Sequence, residues 1–156
     1  MKTTSINDIK KNLLSLEPHE LTTLCLRMAK YKKENKELLA YLLFDSADEQ
    51  AYIDTVNESI KDMFSEIIPN TSYKYTKQVR KILRFANKQI KYSGNPATFI
   101  EILIYFCETL QPKMLKYKIT ALENIYAQQL KKINTALGKL HEDLQYDYIK
   151  KIEALL

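Results

Sequence analysis

Turn-forming residues are scarce in this sequence, and their scarcity constrains the fold more than any other feature. The 156 residues include two glycines and four prolines, which leaves little material for the tight turns that a β-sheet needs. Apolar residues recur at intervals of three and four between the few breaks, which is the spacing of amphipathic helices. A chain of this length suffices for one domain and is short for two. The sequence therefore predicts a single all-α domain over residues 1–156.

The breaks divide the chain into six helical segments and a long last one. Two of the segments, the third and the sixth, are apolar on nearly all sides, which is typical of helices surrounded by the core. We therefore expect Leu42 and Leu103 to be fully buried. The predicted segments are 7–16, 19–31, 36–45, a segment capped at Ser46 or Asp48 that extends to 67, 73–92, 97–110 and 113–156.

An amphipathic segment, a polar break and an all-apolar segment follow one another twice along the chain. Residues 26–30 precede the first such break, and residues 83–88 precede the second. This repeat-like alternation favours helices stacked in antiparallel pairs, in the manner of an α-solenoid, or otherwise an irregular helical bundle. The alternation predicts that helices adjacent in the sequence pack against each other.

Apolar residues continue at nearly heptad spacing through the last segment, which Gly138 alone interrupts. This pattern favours one long, kinked C-terminal helix of roughly 60 Å. The alternative is a break near Gly138, with the glycine as a left-handed cap between two shorter helices. We expect Leu130, Ile133 and Leu137 to pack on the domain, and the apolar residues beyond Gly138 to face another chain.

The strongest charge pattern lies between residues 73 and 92. Its cations recur at alternating spacings of three and four, so a helix places them within an arc of roughly 100°, with Arg80 at the rim. Neither Asp nor Glu occurs between Glu66 and Glu101, and the whole chain has a net charge of +5. We call these residues the basic stripe: Lys74, Lys77, Arg80, Lys81, Arg84, Lys88 and Lys91.

A basic stripe on a helix has three interpretations. It binds an acidic protein surface, it binds phosphates of a nucleic acid with Tyr73, Phe85 or Tyr92 beside the bases, or it is only a solvated side of the helix. The acidic side of segment 48–67 could neutralise it only at the margins, because the charged sides of two helices that share a core both point mainly to water. The stripe is therefore expected to stay available to a partner.

Residues suited to catalysis are few and scattered. His19 and His141 belong to no recognisable signature of nucleophilic catalysis. Asp54, Glu58 and Asp62 form one acidic ridge, but no second carboxylate helix completes a two-metal site. The two glycines are too few for a phosphate-binding loop. The sequence therefore predicts no catalytic residue, no metal site, no cofactor and a protein that is not an enzyme.

The expected function follows from these surfaces. We expect a non-enzymatic helical interaction module that binds a protein partner or itself, and the alternative is a nucleic-acid-binding protein that uses the basic helix 73–92. The apolar runs 38–44 and 102–107 are far shorter than the ~20 residues of a membrane span, and the N-terminus lacks the apolar run of a signal peptide. Cys25 and Cys107 lie in apolar segments, so we expect reduced core cysteines in a cytoplasmic protein.

Overall fold

The computed structural model describes residues 3–156, and this part of the chain forms eight α-helices and no strand. The predicted all-α fold is confirmed, and packing between neighbours along the chain is consistent with stacked pairs. A short π-helical turn, Tyr41–Asp45, follows the third helix. The helices are α1 (Ile6–Leu14), α2 (Pro18–Tyr31), α3 (Lys33–Ala40), α4 (Glu49–Ser65), α5 (Ser72–Ser93), α6 (Pro96–Tyr117), α7 (Thr120–Leu137) and α8 (Glu142–Glu153).

Two compact units are distinguished by the contacts within the chain, Met1–Leu43 and Phe44–Leu156. The smaller unit contains α1, α2 and α3, with α2 packed on α3. The larger unit contains α4 to α8, with α6 packed on α4, α5 and α7. That residues 1–156 form a single domain stays a prediction.

Helix α6 is the centre of the larger unit. Leu103 is fully buried, which confirms the expectation for the sixth segment. The rings of Phe64 on α4 and Phe106 on α6 lie 5.6 Å apart between their centroids. Their packing joins the first and third helices of this unit. The buried side chains of α6 are Thr98, Ile100, Ile102, Leu103, Ile104, Phe106, Cys107 and Leu110.

The third segment differs from its prediction. Leu42 is 56% exposed, and Leu43 and Phe44 are exposed as well, so the expectation of a buried third helix is wrong. Helix α3 ends at Ala40, and the wider π-helical turn that follows buries Tyr41 alone. An apolar pattern shows that burial of a segment would be favourable. It does not show which part of the protein, or which partner, covers that segment.

The last segment, 113–156, contains the end of α6 and two further helices, so the predicted long C-terminal helix is wrong. Helix α6 continues through Pro112 as far as Tyr117, and the chain turns at Lys118, which has a φ of 50°. A second turn separates α7 from α8. Gly138 lies in that turn with φ −61° and ψ −14°, which is right-handed, so the predicted left-handed cap is also absent.

Helix α8 belongs to the core of the larger unit. Its side chains Tyr148 and Ile152 are buried, as is Leu155 just beyond it. The hydroxyl of Tyr126 on α7 donates a hydrogen bond of 2.6 Å to the carbonyl oxygen of Leu155. Ile133 is buried as expected, but the expectation that the apolar residues beyond Gly138 face another chain is wrong for these three.

The two cysteines have different environments. Cys107 is buried in α6 as expected, whereas Cys25 is exposed on α2, so the expectation of a core position there is wrong. Both are free thiols. Burial raises the pKa of the Cys107 thiol to about 12, so this side chain is protonated and unreactive at neutral pH.

Candidate functional site

Helix α5 holds the basic stripe as a rigid unit with well-defined ends. The hydroxyl of Thr71 accepts a hydrogen bond of 3.2 Å from the backbone N–H of Lys74, which caps the first turn. At the other end, the backbone N–H of Gly94 donates to the carbonyl of Ile90 at 2.9 Å. Gly94 has a φ of 65°, a conformation that glycine adopts without strain.

The basic stripe lies on the solvent side of α5. Its opposite side is buried through Tyr75, Val79, Ile82, Ala86 and Ile90. Lys88 is half-buried and interacts within the protein. The other six cations of the stripe are exposed, and within residues 3–156 none of them forms an ion pair. Their charges are therefore not neutralised by the chain itself.

The acidic side of α4 is likewise directed to solvent. Asp54, Glu58 and Asp62 are exposed, and in the described part of the chain no ion pair joins them to α5. Glu58 instead pairs with Lys61 of its own helix at 3.1 Å. Such an exposed pair contributes little to stability. The acidic and basic sides of these two helices are thus both available to other molecules.

A half-buried carboxylate contact joins three helix ends. Glu49, at the start of α4, accepts hydrogen bonds from the hydroxyls of Ser93, at the end of α5, and Thr98, in the first turn of α6. The Thr98 contact is 2.5 Å long, and Thr98 is fully buried. These bonds fix the α5–α6 turn relative to α4.

A groove of about 670 Å³ lies between this α5–α6 turn and helix α7. Four lysines line it, and among the described residues neither Asp nor Glu does. Apolar side chains from both walls, including Phe99, complete the lining. We call this site the lysine groove, and its cations are Lys91, Lys131, Lys132 and Lys139.

Sequence reasoning found only Lys91 among these cations. Lys131 and Lys132 are adjacent in the sequence, and this doublet was the available signal. One long helix over 113–156 with an apolar seam would not place this doublet beside Lys91. The turn at Lys139 exists only because α7 and α8 are separate helices.

The smaller unit exposes large apolar side chains. None of the residues in α1, α2 or α3 is buried. A narrow groove of about 170 Å³ lies between α2 and α3, and we call it the α2–α3 groove. It is lined by Cys25, Met28, Ala29, Asn35, Leu38, Leu39 and Leu42. Residues 1–43 are also basic, with eight Lys and Arg against five Asp and Glu.

The larger unit has a groove beside α4 that is acidic, whereas residues 1–43 are basic. This α4 groove has a volume of about 330 Å³ and combines aromatic with acidic side chains. Phe44 and Phe85 supply aromatic surface, while Asp45 and Asp48 supply negative charge. Its shape and chemistry suit a partner with apolar and basic groups.

The residues considered for catalysis do not come together. His19 is exposed on α2. The exposed His141 begins α8, with its Nδ1 3.4 Å from a carboxylate oxygen of Asp143. Among residues 3–156, no three His, Cys, Asp or Glu side chains are arranged to hold a metal ion. That the protein is not an enzyme stays a prediction.

Comparisons of the chain with protein-family models, curated proteins and solved structures gave no match. None of the helices described between residues 3 and 156 combines the length and apolar character that crossing a membrane requires. The surfaces that indicate a function are the basic stripe, the lysine groove, the α2–α3 groove and the α4 groove.

Proposed function

We propose that this protein is a non-enzymatic helical interaction module that binds a second copy of itself through the apolar surface of residues 1–43. One observation carries the proposal. Within the described residues of this unit, eleven large apolar side chains are exposed, and Tyr31 at 87% and Leu14 at 76% are among the extremes. Exposed apolar surface of this extent is typical of a surface that is covered by another protein.

Energetic reasoning supports a partner for residues 1–43. A unit of about 40 residues that buries so few side chains lacks the core that stabilises an isolated domain. Removing apolar surface from water contributes roughly 25 cal/mol per Å², so covering this surface is favourable. Helices α1 to α3 are therefore expected to gain stability when their apolar side is covered.

Charge complementarity favours a second copy as that partner. Residues 1–43 carry an excess of lysine and arginine, whereas the α4 groove combines aromatic side chains with Asp45 and Asp48. The apolar and basic surface of one copy thus matches the apolar and acidic groove of another. Each copy carries both surfaces, so we propose a dimer in which each copy covers residues 1–43 of the other.

The free thiols fit a reducing compartment. Cys25 is exposed and unpaired with any other cysteine. An exposed thiol persists where glutathione keeps cysteines reduced, as it does in the cytoplasm. A cytoplasmic location is therefore part of this proposal.

The expected result for self-association is a loss of dimer when the α2–α3 groove becomes charged. The wild-type chain should have twice the mass of one 18.3 kDa chain by light scattering at micromolar concentration. Met28→Glu combined with Leu42→Glu should shift the mass to that of a monomer, because two carboxylates would be buried without partners at the interface. Circular dichroism should show that most of the helicity remains, because α4 to α8 have a core of their own.

A matched control is available outside the proposed interface. Ile68 is 83% exposed and lies in the larger unit, so Ile68→Glu adds a carboxylate without disturbing the α2–α3 groove. This control should remain a dimer. A wild-type chain that stays monomeric contradicts the second copy as partner, and so does a double variant as dimeric as the control.

A second candidate function is nucleic-acid binding, and the basic stripe favours it. The stripe extends from Lys74 to Lys91, which corresponds to roughly 26 Å along α5 at 1.5 Å per residue. Six of its cations are exposed without ion pairs in the described chain. A row of this kind follows a phosphate backbone and releases counterions, with little preference for sequence.

Double-stranded DNA is the probe for this second candidate. A labelled duplex should bind with a slope of log K against log salt on the order of −3 to −6. Lys77→Glu with Lys81→Glu should weaken that binding at least tenfold at low salt, because both are exposed at the middle of the stripe.

The control reverses two charges elsewhere on the larger unit. Lys116 and Lys118 are exposed and lie outside the stripe and the lysine groove. Lys116→Glu with Lys118→Glu should change duplex affinity by less than about threefold. If wild-type protein ignores the duplex near physiological salt, or if both double variants lose affinity equally, the stripe is a solvated surface and the nucleic-acid candidate fails.

A further inference from the structure

We infer that the lysine groove binds single-stranded nucleic acid, with phosphates held by its lysines and a base stacked on Phe99. The groove joins features from two distant parts of the sequence. Lys91 and Phe99 come from the α5–α6 region, whereas Lys131, Lys132 and Lys139 come from α7 and the turn after it. The sequence alone did not bring them together.

The cationic side of the groove is suited to phosphate. All four lysines are exposed, and within residues 3–156 none of them forms an ion pair. The four lysines converge on one concave site that no carboxylate of the described residues lines, which gives a local excess of positive charge. A partner must therefore be anionic, and a phosphate backbone supplies charge at regular intervals.

The apolar side of the groove selects among anionic partners. Phe99 is half-buried, and Ile90, Pro96 and Ala136 line the groove beside it. A duplex shields the ring planes of its bases, whereas a single strand can place a base on an aromatic ring. An acidic peptide would match the lysines but would leave this aromatic surface without a stacking partner. The combination therefore favours a single strand.

The groove is held in shape by the contact at Glu49. Its carboxylate bonds to Ser93 and Thr98 on either side of the α5–α6 turn, so the wall that carries Phe99 is fixed. Ile133 is fully buried and anchors α7, the opposite wall. The volume of about 670 Å³ lies within the range of sites that accept ligands of nucleotide size.

This inference is independent of the proposed docking of residues 1–43, and it extends the nucleic-acid candidate without requiring the basic stripe. Lys91 belongs to both surfaces, but Lys131, Lys132 and Lys139 lie outside the stripe. Reversal of charge in the groove and in the stripe can therefore be compared directly. The two sites are expected to differ in strandedness, with the duplex on the stripe and the single strand in the groove.

The test measures fluorescence anisotropy of a labelled oligothymidylate of about twelve nucleotides, a length within the usual range of single-strand sites. Wild-type protein should bind it with a salt slope of roughly −2 to −3, as expected for up to four phosphate contacts on a single strand. Lys131→Glu with Lys132→Glu should reduce affinity at least tenfold. The pair Lys116→Glu and Lys118→Glu, the same control as for the stripe, should change it less than about threefold.

A separate variant tests whether a base stacks on Phe99. Phe99→Leu keeps an apolar side chain but removes the ring, so affinity for the oligothymidylate should fall about three- to tenfold. Binding of the duplex should not change with this substitution. If charge reversal in the groove disturbs helicity in the circular dichroism spectrum, Lys131→Gln with Lys132→Gln replaces it. This variant removes the two positive charges without adding negative ones and should give the same loss of affinity.

Four results would overturn the inference. They are the absence of oligothymidylate binding at low salt, equal losses in the groove and control variants, unchanged affinity in Phe99→Leu, and displacement of the oligothymidylate by polyglutamate at equal charge. The last would identify an acidic peptide as the better ligand. Loss of single-strand binding in Lys77→Glu with Lys81→Glu, but not in the groove variant, would assign the binding to the stripe instead.

Discussion

Deletion of residues 139–156 is expected to unfold the 44–156 unit. The deletion removes α8 and with it the buried side chains Tyr148, Ile152 and Leu155. Each buried large apolar side chain contributes roughly 1.5–3 kcal/mol, so their loss costs about 5 kcal/mol or more. That is comparable with the ~5–15 kcal/mol by which a typical domain is stable.

Two polar contacts add to the effect of the deletion. The hydroxyl of Tyr126 loses its acceptor, the carbonyl of Leu155, and exchanges that hydrogen bond for one to water, a net loss of about 0.5–1.5 kcal/mol. The ion pair between Lys151 and Glu101, 3.4 Å long, is also lost, but it is partly exposed and contributes little. The deletion therefore acts mainly through the core.

Thermal unfolding followed by circular dichroism measures the result. The chain that ends at residue 138 should lack a cooperative transition or melt far below the wild type. Leu156→Ala is the control, because Leu156 is 85% exposed and its truncation leaves the buried contacts and the Leu155 peptide group intact. A deletion variant that melts cooperatively near the wild-type temperature would show that α8 is an appendage and not part of the core.

The helices themselves were largely predictable because their signals are local. Helix α5 was expected over 73–92 and is found over Ser72–Ser93, and α6 begins at Pro96 beside its predicted start at Ala97. Proline at the start and glycine beyond the end of a helix act through the conformation of their own backbone. The exposed side of α5 was predictable for the same reason, since the cations of the basic stripe recur at regular spacing over five turns.

The partners of each apolar surface were not predictable, because they depend on residues far apart in the chain. Leu42 and Leu103 occupy similarly apolar segments, yet Leu42 is exposed and Leu103 is buried. Likewise, the contact between Tyr126 and Leu155 depends on the turn between α7 and α8, which the heptad-like pattern does not reveal. Periodicity identifies which side chains share a surface but not what covers that surface.

The two candidate sites for nucleic acid differ in the same way, because one lies on a single helix and the other lies between helices. The basic stripe lies on one helix, so its residues were identified from spacing alone. The lysine groove needs the α5–α6 turn beside α7, and this arrangement follows from tertiary packing of α6. A site built from one helix is accessible to sequence reasoning, whereas a site built between helices requires the fold.

Leu103→Ala and Leu42→Ala form a matched pair that tests the difference between the two apolar segments. Leu103 is completely buried, so its truncation leaves a cavity and should lower the free energy of unfolding by ~2–5 kcal/mol. Leu42 is 56% exposed, and the same truncation there should cost less than about 1 kcal/mol in the monomer. Urea unfolding at low protein concentration measures both values.

The concentration dependence of the Leu42 effect connects this test to the proposed dimer. A partner that binds only the folded chain adds stability by mass action, so a dimer becomes more resistant to unfolding as protein concentration rises. Leu42 lines the α2–α3 groove, and its truncation should therefore reduce the stability gained at high concentration while leaving the dilute value nearly unchanged. Leu103→Ala should shift both values by the same amount, because the cavity that it leaves lies within one chain. Equal destabilisation by the two substitutions in dilute solution would mean that the third segment is buried after all.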